Sequence, residues 1–414
     1  MTIKCPFLWN HQTVEVTGAT RPCCNAIYPD MKTREEWKAL RFKLGIDTPV
    51  HDAARKDFEN GVWPKFCGIC ETKEKKGIRS HRETAIDRFG LPDKVSIKYL
   101  DIKFSNLCNL ACRMCKPADS SLISDAVKEL SEEETPNHIK LDKFSPPEYK
   151  MQSKDKVKYT KNLIMNGLQT LKVTGGEPFA CKYFLEVLDF IDSENKSKEM
   201  EIDLTTNLTK INKSLLSKLE KFKKVTLVIS VDGYDKIYEY IRQGTSWSNF
   251  KKNIDLLAEF VQKSNTEWVV LSHFTLQFYN VLDAPNIMNF MYDYHIPLNI
   301  QTTFRPITSE LHYTTVNEKI NAELKKQINC LQEKHVSQNP MFNIGWIEKD
   351  YIQNHWKTAK KNLDSAANKD LTPERFGNLY KTICQQDKMY NKKYNNHLHP
   401  LQVELIKDIE RSIT

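Results

Sequence analysis

The residues best suited to chemistry in this sequence are three cysteines, Cys108-Asn-Leu-Ala-Cys112-Arg-Met-Cys115. Their spacing lets one short loop fold three sulfurs around a small metal centre. Closed iron–sulfur and zinc sites take four protein ligands. Three ligands leave one metal position open, which a catalytic centre needs. A second set lies near the N-terminus: Cys5, the Cys23-Cys24 pair and Cys67-Gly-Ile-Cys70. The last is a knuckle that presents two thiolates to one metal, and four thiolates from three places would close a coordination sphere. Structural zinc and an iron–sulfur cluster both satisfy that donor set. The leftover thiols, Cys181, Cys330, Cys384 and one of the 23–24 pair, are isolated, and packing in the core is their expected role.

Other chemistry-bearing residues stand at the ends of apolar runs. Thr174-Gly175-Gly176-Glu177-Pro178 follows one such run. Paired glycines let backbone approach a ligand closely, and Glu accepts from an ammonium. A strand-ending turn explains the same residues equally well. Thr206-Asn207, Ser230-Val-Asp232-Gly233 and Gln277 end later runs, and Arg242 lies one helical segment beyond Asp232. Each alone reads as a cap or a surface side chain. Their ordered recurrence at successive strand ends raises them together.

The elements that must position these residues alternate. Runs at 97–104, 169–174, 201–206, 224–231, 268–276 and 296–302 read as strands. Helical patterns lie between most of them, such as 184–191, 212–222, 250–260 and 286–294. Repeated strand–helix alternation implies parallel βαβ units, with the chemistry at the C-terminal strand ends. Residues 1–94 are Cys-rich, with a weak strand at 13–16, a turn at Gly18 and a helix expected over 34–44. Residues 131–160 are polar and Pro-interrupted, and read as an exposed insertion. Beyond about residue 306 the chain reads as helical, with 317–334 the clearest segment.

Composition removes several classes. The 414 residues carry 61 Lys+Arg and 53 Asp+Glu, a formal charge of +8, with 40% hydrophobic and 28% charged residues. That balance supports folded, water-soluble structure. No stretch of about 18 apolar residues suggests a membrane span. The N-terminal MTIKCPFLWNHQ lacks an apolar signal core and a small-residue cleavage site. A reducing, cytoplasmic location is expected, where disulfide frameworks are rare. An odd count of 11 Cys points the same way. The positive charge is dispersed, which argues against nucleic acid as a partner.

The Cys108–Cys115 loop, followed by GGEP, resembles the signature of the radical S-adenosylmethionine (radical SAM) superfamily. The resemblance implies an α/β fold, a partial (β/α)6 TIM-like barrel over 95–305. Cys108, Cys112 and Cys115 would hold a 4Fe–4S cluster whose open iron takes S-adenosylmethionine. One electron then splits the sulfonium to a 5′-deoxyadenosyl radical, which abstracts hydrogen from a substrate. Met114 stands where the family usually has an aromatic residue. By the same resemblance Gly175, Gly176 and Glu177 would meet the methionine amino group. Thr206, Asn207, Ser230, Asp232, Arg242 and Gln277 would serve the rest of the cofactor, Arg242 through its carboxylate. The segment from Cys5 to Cys24 resembles the auxiliary-cluster hairpin of twitch and SPASM domains. Gly45, Cys67, Cys70, Gly77, Ser80 and Arg82 also resemble a family of small radical SAM proteins whose twitch-like domain precedes the barrel. This implies a small N-terminal domain, 1–94, with a second 4Fe–4S cluster on Cys5, Cys23, Cys67 and Cys70. Cys23 is preferred to Cys24 because it follows Pro22, as the ligand does in similar segments. Residues 306–414 would be a helical extension. The implied partners are a peptide or protein substrate and a flavodoxin- or ferredoxin-type electron donor. A carbohydrate or nucleoside substrate, or a non-catalytic zinc or iron–sulfur protein, are the alternatives.

Overall fold

The computed structural model describes residues 4–26, 45–136, 139, 152–301, 317–330 and 373–413. In chain order the strands are β1 (His11–Val14), β2 (Thr20–Arg21), β3 (Tyr99–Ile102), β4 (Ala111–Cys112), β5 (Thr170–Val173), β6 (Glu201–Thr206), β7 (Lys224–Ser230), β8 (Arg242–Gln243), β9 (Glu267–Thr275) and β10 (Leu298–Gln301). Each of the six apolar runs read from the sequence overlaps one of them. Eight strands hydrogen-bond in the order β10-β9-β7-β6-β5-β3-β1-β2, and β4 pairs with β8 in a separate ribbon. The sheet is mostly parallel and alternates with helices, an α/β fold. Among the described residues no helix is long and apolar enough to cross a membrane.

The chain divides into two compact units. The first comprises residues 1–105, 147–175 and 181–203. Here β1 runs parallel to β3 (Val14↔Ile102) and β3 parallel to β5 (Tyr99↔Thr170). β1 turns at Gly18 (φ +85) into antiparallel β2, so the N-terminal hairpin joins the sheet. Phe7, Leu8, Trp9, Ala54, Phe58, Phe66, Ala85 and Tyr99 form a core beside it. Arg55 is held inside that unit by the carbonyls of Leu8 (2.9 and 2.7 Å) and Ile46 (2.7 Å). The helix His81–Phe89 starts on a capping box in which Ser80 and Glu83 exchange side-chain and backbone hydrogen bonds.

The exposed insertion expected over 131–160 is corrected in part. Ser153–Met165 is a helix that buries Lys156, Val157 and Thr160. The Lys156 ammonium donates to the carbonyls of Val16 (2.6 Å), Lys103 (2.8 Å) and Phe104 (3.4 Å). A polar sequence hid this helix because its buried ammonium is satisfied by backbone carbonyls far away in the chain. Residues 140–151, and the helix expected over 34–44, lie outside the described residues.

The second unit comprises residues 106–146, 176–180 and 204–414. β7 alternates burial strictly along its length, and β9 pairs parallel to both β7 and β10. Leu227, Ile229, Val270 and Phe274 are fully buried. The helix Trp247–Lys263 is capped by Ser246, whose hydroxyl accepts from Asn249 N–H, and buries Phe250, Ile254, Leu257 and Val261. Glu318–Cys330, Pro373–Tyr390 and Pro400–Ile413 are helices, in keeping with the helical reading of the C-terminal residues.

Candidate active site

The three-cysteine loop is braced from several sides within the second unit. Its β4 residues pair with β8 so that Cys112 lies opposite Arg242. Arg113 N–H donates to the Ile241 carbonyl (2.9 Å), and Ser121 N–H to the Asn106 carbonyl (2.7 Å). The Ser120 hydroxyl donates to the Leu110 carbonyl at 2.7 Å. The loop therefore holds its shape through backbone partners on both flanks. Cys112 is buried, while Cys108 and Cys115 are half-buried.

The sulfurs already have polar company. Leu110 N–H lies 3.4 Å from Cys108 Sγ, and Asn207 Nδ2 lies 3.9 Å from it. An Arg242 guanidinium nitrogen lies 3.9 Å from Cys112 Sγ. Burial pushes the Cys108 thiol up to about 12. Cys115 donates to Cys112, which lowers Cys112 and raises Cys115. Cys108 and Cys115 thus favour the thiol form, and a metal centre would displace their protons. Among the described residues no three His, Cys, Asp or Glu side chains gather as ligands of one ion. A cubane cluster asks for a wider arrangement, because each thiolate binds its own iron. Three soft thiolates in one braced loop fit such a cluster.

The GGEP turn rests directly on this loop. Glu177 N–H donates to the Leu107 carbonyl at 2.8 Å. Gly176 sits at φ +58, and a Cβ there would lie 2.3 Å from that carbonyl oxygen, so no other residue fits. Gly175, in the first unit, has φ +75 and packs against the Lys103 side chain. The Glu177 carboxylate is fully buried. It accepts from Phe179 N–H (3.1 Å), the Thr206 hydroxyl (2.7 Å) and Asn207 N–H (2.6 Å). Burial raises its pKa in spite of these donors. A carboxylate has about four acceptor positions, so one remains for a further donor.

The other expected site residues divide into used and free. Thr206 is spent on Glu177 and on Leu208 N–H. Asn207 bridges Cys108 to Asn109 and Thr209. Asp232 pairs with Arg242 at 2.6 Å and accepts from Thr275 N–H at 2.8 Å. Both partners are buried, so Arg242 meets a carboxylate of the protein itself; its Nε has no partner among the described residues. Ser230 ends β7 opposite His273. Gln277 is completely buried, and neither amide atom has a partner among the described residues. An unpaired buried amide is costly, and a ligand that pairs with it relieves the cost. Asn280, by contrast, is spent on Gln277 N–H and the carbonyls of Asp232 and Thr275.

One residue inside the loop escaped sequence reasoning. Arg113, between Cys112 and Met114, is fully buried. Its Nε donates to the Tyr240 carbonyl (2.8 Å) and its NH2 to Asp387 (2.7 Å). The guanidinium lies 3.7 Å from the Tyr240 ring centroid. Gln386 donates back to the Arg113 carbonyl (2.8 Å) and accepts from the Tyr279 hydroxyl (2.8 Å). The helix Pro373–Tyr390 is thus fastened to the three-cysteine loop. A charge within a Cys-rich loop was the available signal, since a buried Arg must find an acceptor.

The N-terminal cysteines form a second group in the first unit. Cys70 acts electrostatically on Cys5, and Cys5 acts on both Cys23 and Cys67. Burial pushes the Cys5 thiol up to about 12 and raises Cys23 and Cys67 as well. Glu74 joins the helices that carry this group: it accepts from Arg82 at 2.9 and 2.6 Å and from the Ser80 hydroxyl. Cys24 is exposed, 3.7 Å from His81 Nε2. Of the thiols expected to pack in the core, Cys181 is buried, but Cys330 and Cys384 are exposed. Both stand on solvent-facing positions of amphipathic helices, where a small thiol is tolerated.

Residues 102–284 match the model of the Radical SAM superfamily. The chain is 28% identical over 191 residues to molybdenum cofactor biosynthesis protein moc-5 of Caenorhabditis elegans, covering 42% of this chain and 25% of that protein. It is 25% identical over 270 residues to a probable GTP 3′,8-cyclase of Methanocaldococcus jannaschii, covering 64% and 78%. Among solved structures, native anSMEcpe with bound AdoMet and Kp18Cys peptide gives 16% identity and a TM-score of 0.36, covering 56% of this chain and 59% of that one. Streptococcus suis SuiB bound to S-adenosylmethionine gives 14% and 0.34, covering 66% and 62%. The chain spans only a quarter of moc-5 and under two thirds of these two structures. The part of the chain that is similar to radical SAM proteins is thus residues 102–284, under half of its length.

Proposed function

We propose that this chain is a radical SAM enzyme that abstracts hydrogen from a peptide or protein in a reducing cytoplasm. The observation that carries the reading is the GGEP turn seated on the braced Cys108–Cys115 loop. Cys108, Cys112 and Cys115 would hold a 4Fe–4S cluster. When bound, that cluster supplies the electron that splits S-adenosylmethionine into methionine and a 5′-deoxyadenosyl radical.

The chain's own residues supply position and polarity. Gly176 lets the turn approach the loop. Glu177 keeps one acceptor position for the methionine ammonium. Asn207 directs its amide at Cys108, and Arg242 its guanidinium at Cys112; both stabilise thiolate charge. Gln277 offers a donor and an acceptor to a nucleoside edge. The Asp232–Arg242 pair and Ser230 complete the rim. Cys5, Cys23, Cys67 and Cys70 would carry an auxiliary 4Fe–4S cluster in a twitch-like domain over residues 1–94. The placement of Cys23 near Cys5 and Cys67 supports Cys23 over Cys24 as ligand. A flavodoxin- or ferredoxin-type protein would deliver the electron. The peptide class rests on the likeness of the N-terminal segment to twitch and SPASM domains.

A nucleoside substrate is the second reading, favoured by the similarity to the probable GTP 3′,8-cyclase. Reconstituted protein given reductant, S-adenosylmethionine and GTP separates them. Formation of 5′-deoxyadenosine with GTP unconsumed supports the first reading. Conversion of GTP in step with 5′-deoxyadenosine establishes the second.

A further inference from the structure

We propose that the C-terminal helix Pro373–Tyr390 forms part of the cluster pocket, with the Tyr390 hydroxyl as a hydrogen-bond donor to the cluster or its thiolates. The inference rests on the reading of Cys108, Cys112 and Cys115 as cluster ligands. The helix is fixed where it matters. Asp387 accepts from Arg113 NH2 (2.7 Å), the Tyr240 hydroxyl (2.7 Å) and Tyr394 N–H (2.6 Å). Gln386 closes a two-way contact with the Arg113 backbone and Tyr279. Arg113 stands one residue beyond Cys112, so this clamp sets the distance from helix to loop.

Just past the clamp, Met389 packs against the small core of Ile123, Val127 and Ile139, the same core that Cys115 packs against. Its neighbour Tyr390 places its ring 5.3 Å from the Arg113 guanidinium. The Tyr390 hydroxyl is buried and has no partner among the described residues. Its ionisable neighbours are Arg113, Cys112, Cys115 and Tyr279. A buried hydroxyl costs free energy unless it is paired. The pairing that this surrounding offers is a sulfur carrying negative charge, either a ligand thiolate or a cluster sulfide. Hydrogen bonds to those sulfurs stabilise the reduced cluster, because its charge is one unit more negative. Tyr390 is a positioning and tuning residue here, not a catalytic one.

The test replaces Tyr390 by Phe, which keeps the ring and the packing against Arg113. Wild type and Tyr390→Phe are reconstituted, their iron and sulfide are counted, and the cluster is titrated by electron paramagnetic resonance. To isolate one signal, the titration is repeated with Cys67 and Cys70 changed to Ala. Losing one hydrogen bond to the reduced state lowers the reduced-to-oxidised ratio at fixed potential by up to about tenfold, a shift of roughly 59 mV to lower potential. Iron content stays at the wild-type value. An unchanged potential and spectrum with full iron overturns the role of Tyr390. A protein that takes up no iron even as wild type overturns the cluster reading itself, and the two failures are distinct. If Tyr390→Phe loses iron, Tyr390→Trp, which restores a donor on a ring, recovers it only if the hydroxyl is the pairing group; recovery by Tyr390→Leu instead refutes it.

Discussion

Changing Gly176 to Ala addresses both the fold and the site. The residue sits at φ +58, a left-handed conformation that costs a non-glycine residue about 1–2 kcal/mol. The new Cβ would lie 2.3 Å from the Leu107 carbonyl oxygen and 3.0 Å from the carbonyl carbons of Asn106 and Leu107. These are backbone atoms, so no rotamer change relieves the contact. Either the turn or the loop must move, and the 2.8 Å bond from Glu177 N–H to that carbonyl breaks. An unsatisfied buried donor adds roughly 1–3 kcal/mol. The sum is about 2–5 kcal/mol, and Cys108, next along the chain from Leu107, moves with the displaced carbonyl. Gly77 provides the control. Its φ is +66, yet a Cβ there meets nothing within 4 Å, so Gly77→Ala carries only the backbone cost of about 1–2 kcal/mol. Urea unfolding of both variants gives the stabilities, and iron retained after desalting reports the loop. A Gly176→Ala protein as stable as Gly77→Ala, with full iron, would refute the close approach of turn and loop.

Three other outcomes are expected. Arg113→Met leaves the buried Asp387 without its charge partner and should cost about 3–5 kcal/mol in urea unfolding, with loss of iron from the cluster loop; a variant of wild-type stability would remove the clamp from the account. His11 and His51 are both held down to about 4 by burial. The unfolded chain takes up their protons near pH 6.5 while the folded state refuses them until about pH 4. Stability is therefore complete above pH 6.5 and lost as pH falls towards 4, by up to about 3 kcal/mol for each ring. His51→Gln should flatten part of that slope, and an unchanged slope contradicts it. Finally, Cys23→Ser should lower iron content in the auxiliary group, while Cys24→Ser should leave it intact; the reverse result would exchange the two ligands.

What the sequence revealed follows the range of the interactions. Strand positions were legible because each lies in a run of apolar or β-branched residues, as in β7 and β9. The cysteine loop and the GGEP turn were legible because their chemistry lies within a few residues. Pairing across the chain was not. Nothing in the text around Arg242 says that Asp232 takes its guanidinium, or that Asp387 closes on Arg113 from 274 residues away. The parallel contact of β1 with β3 depends on the register His11↔Tyr99, which no local pattern encodes. The helix around Lys156 was hidden for a related reason: its buried face includes an ammonium, which reads as solvated until three carbonyls are seen to receive it.

The most direct measurement is 5′-deoxyadenosine formed by the reconstituted protein after dithionite and S-adenosylmethionine are added without oxygen. The account predicts formation by the wild-type chain and none once Cys108, Cys112 and Cys115 are changed to Ala. Iron-loaded wild-type protein that forms none, or a triple variant that forms it at the wild-type rate, would contradict it.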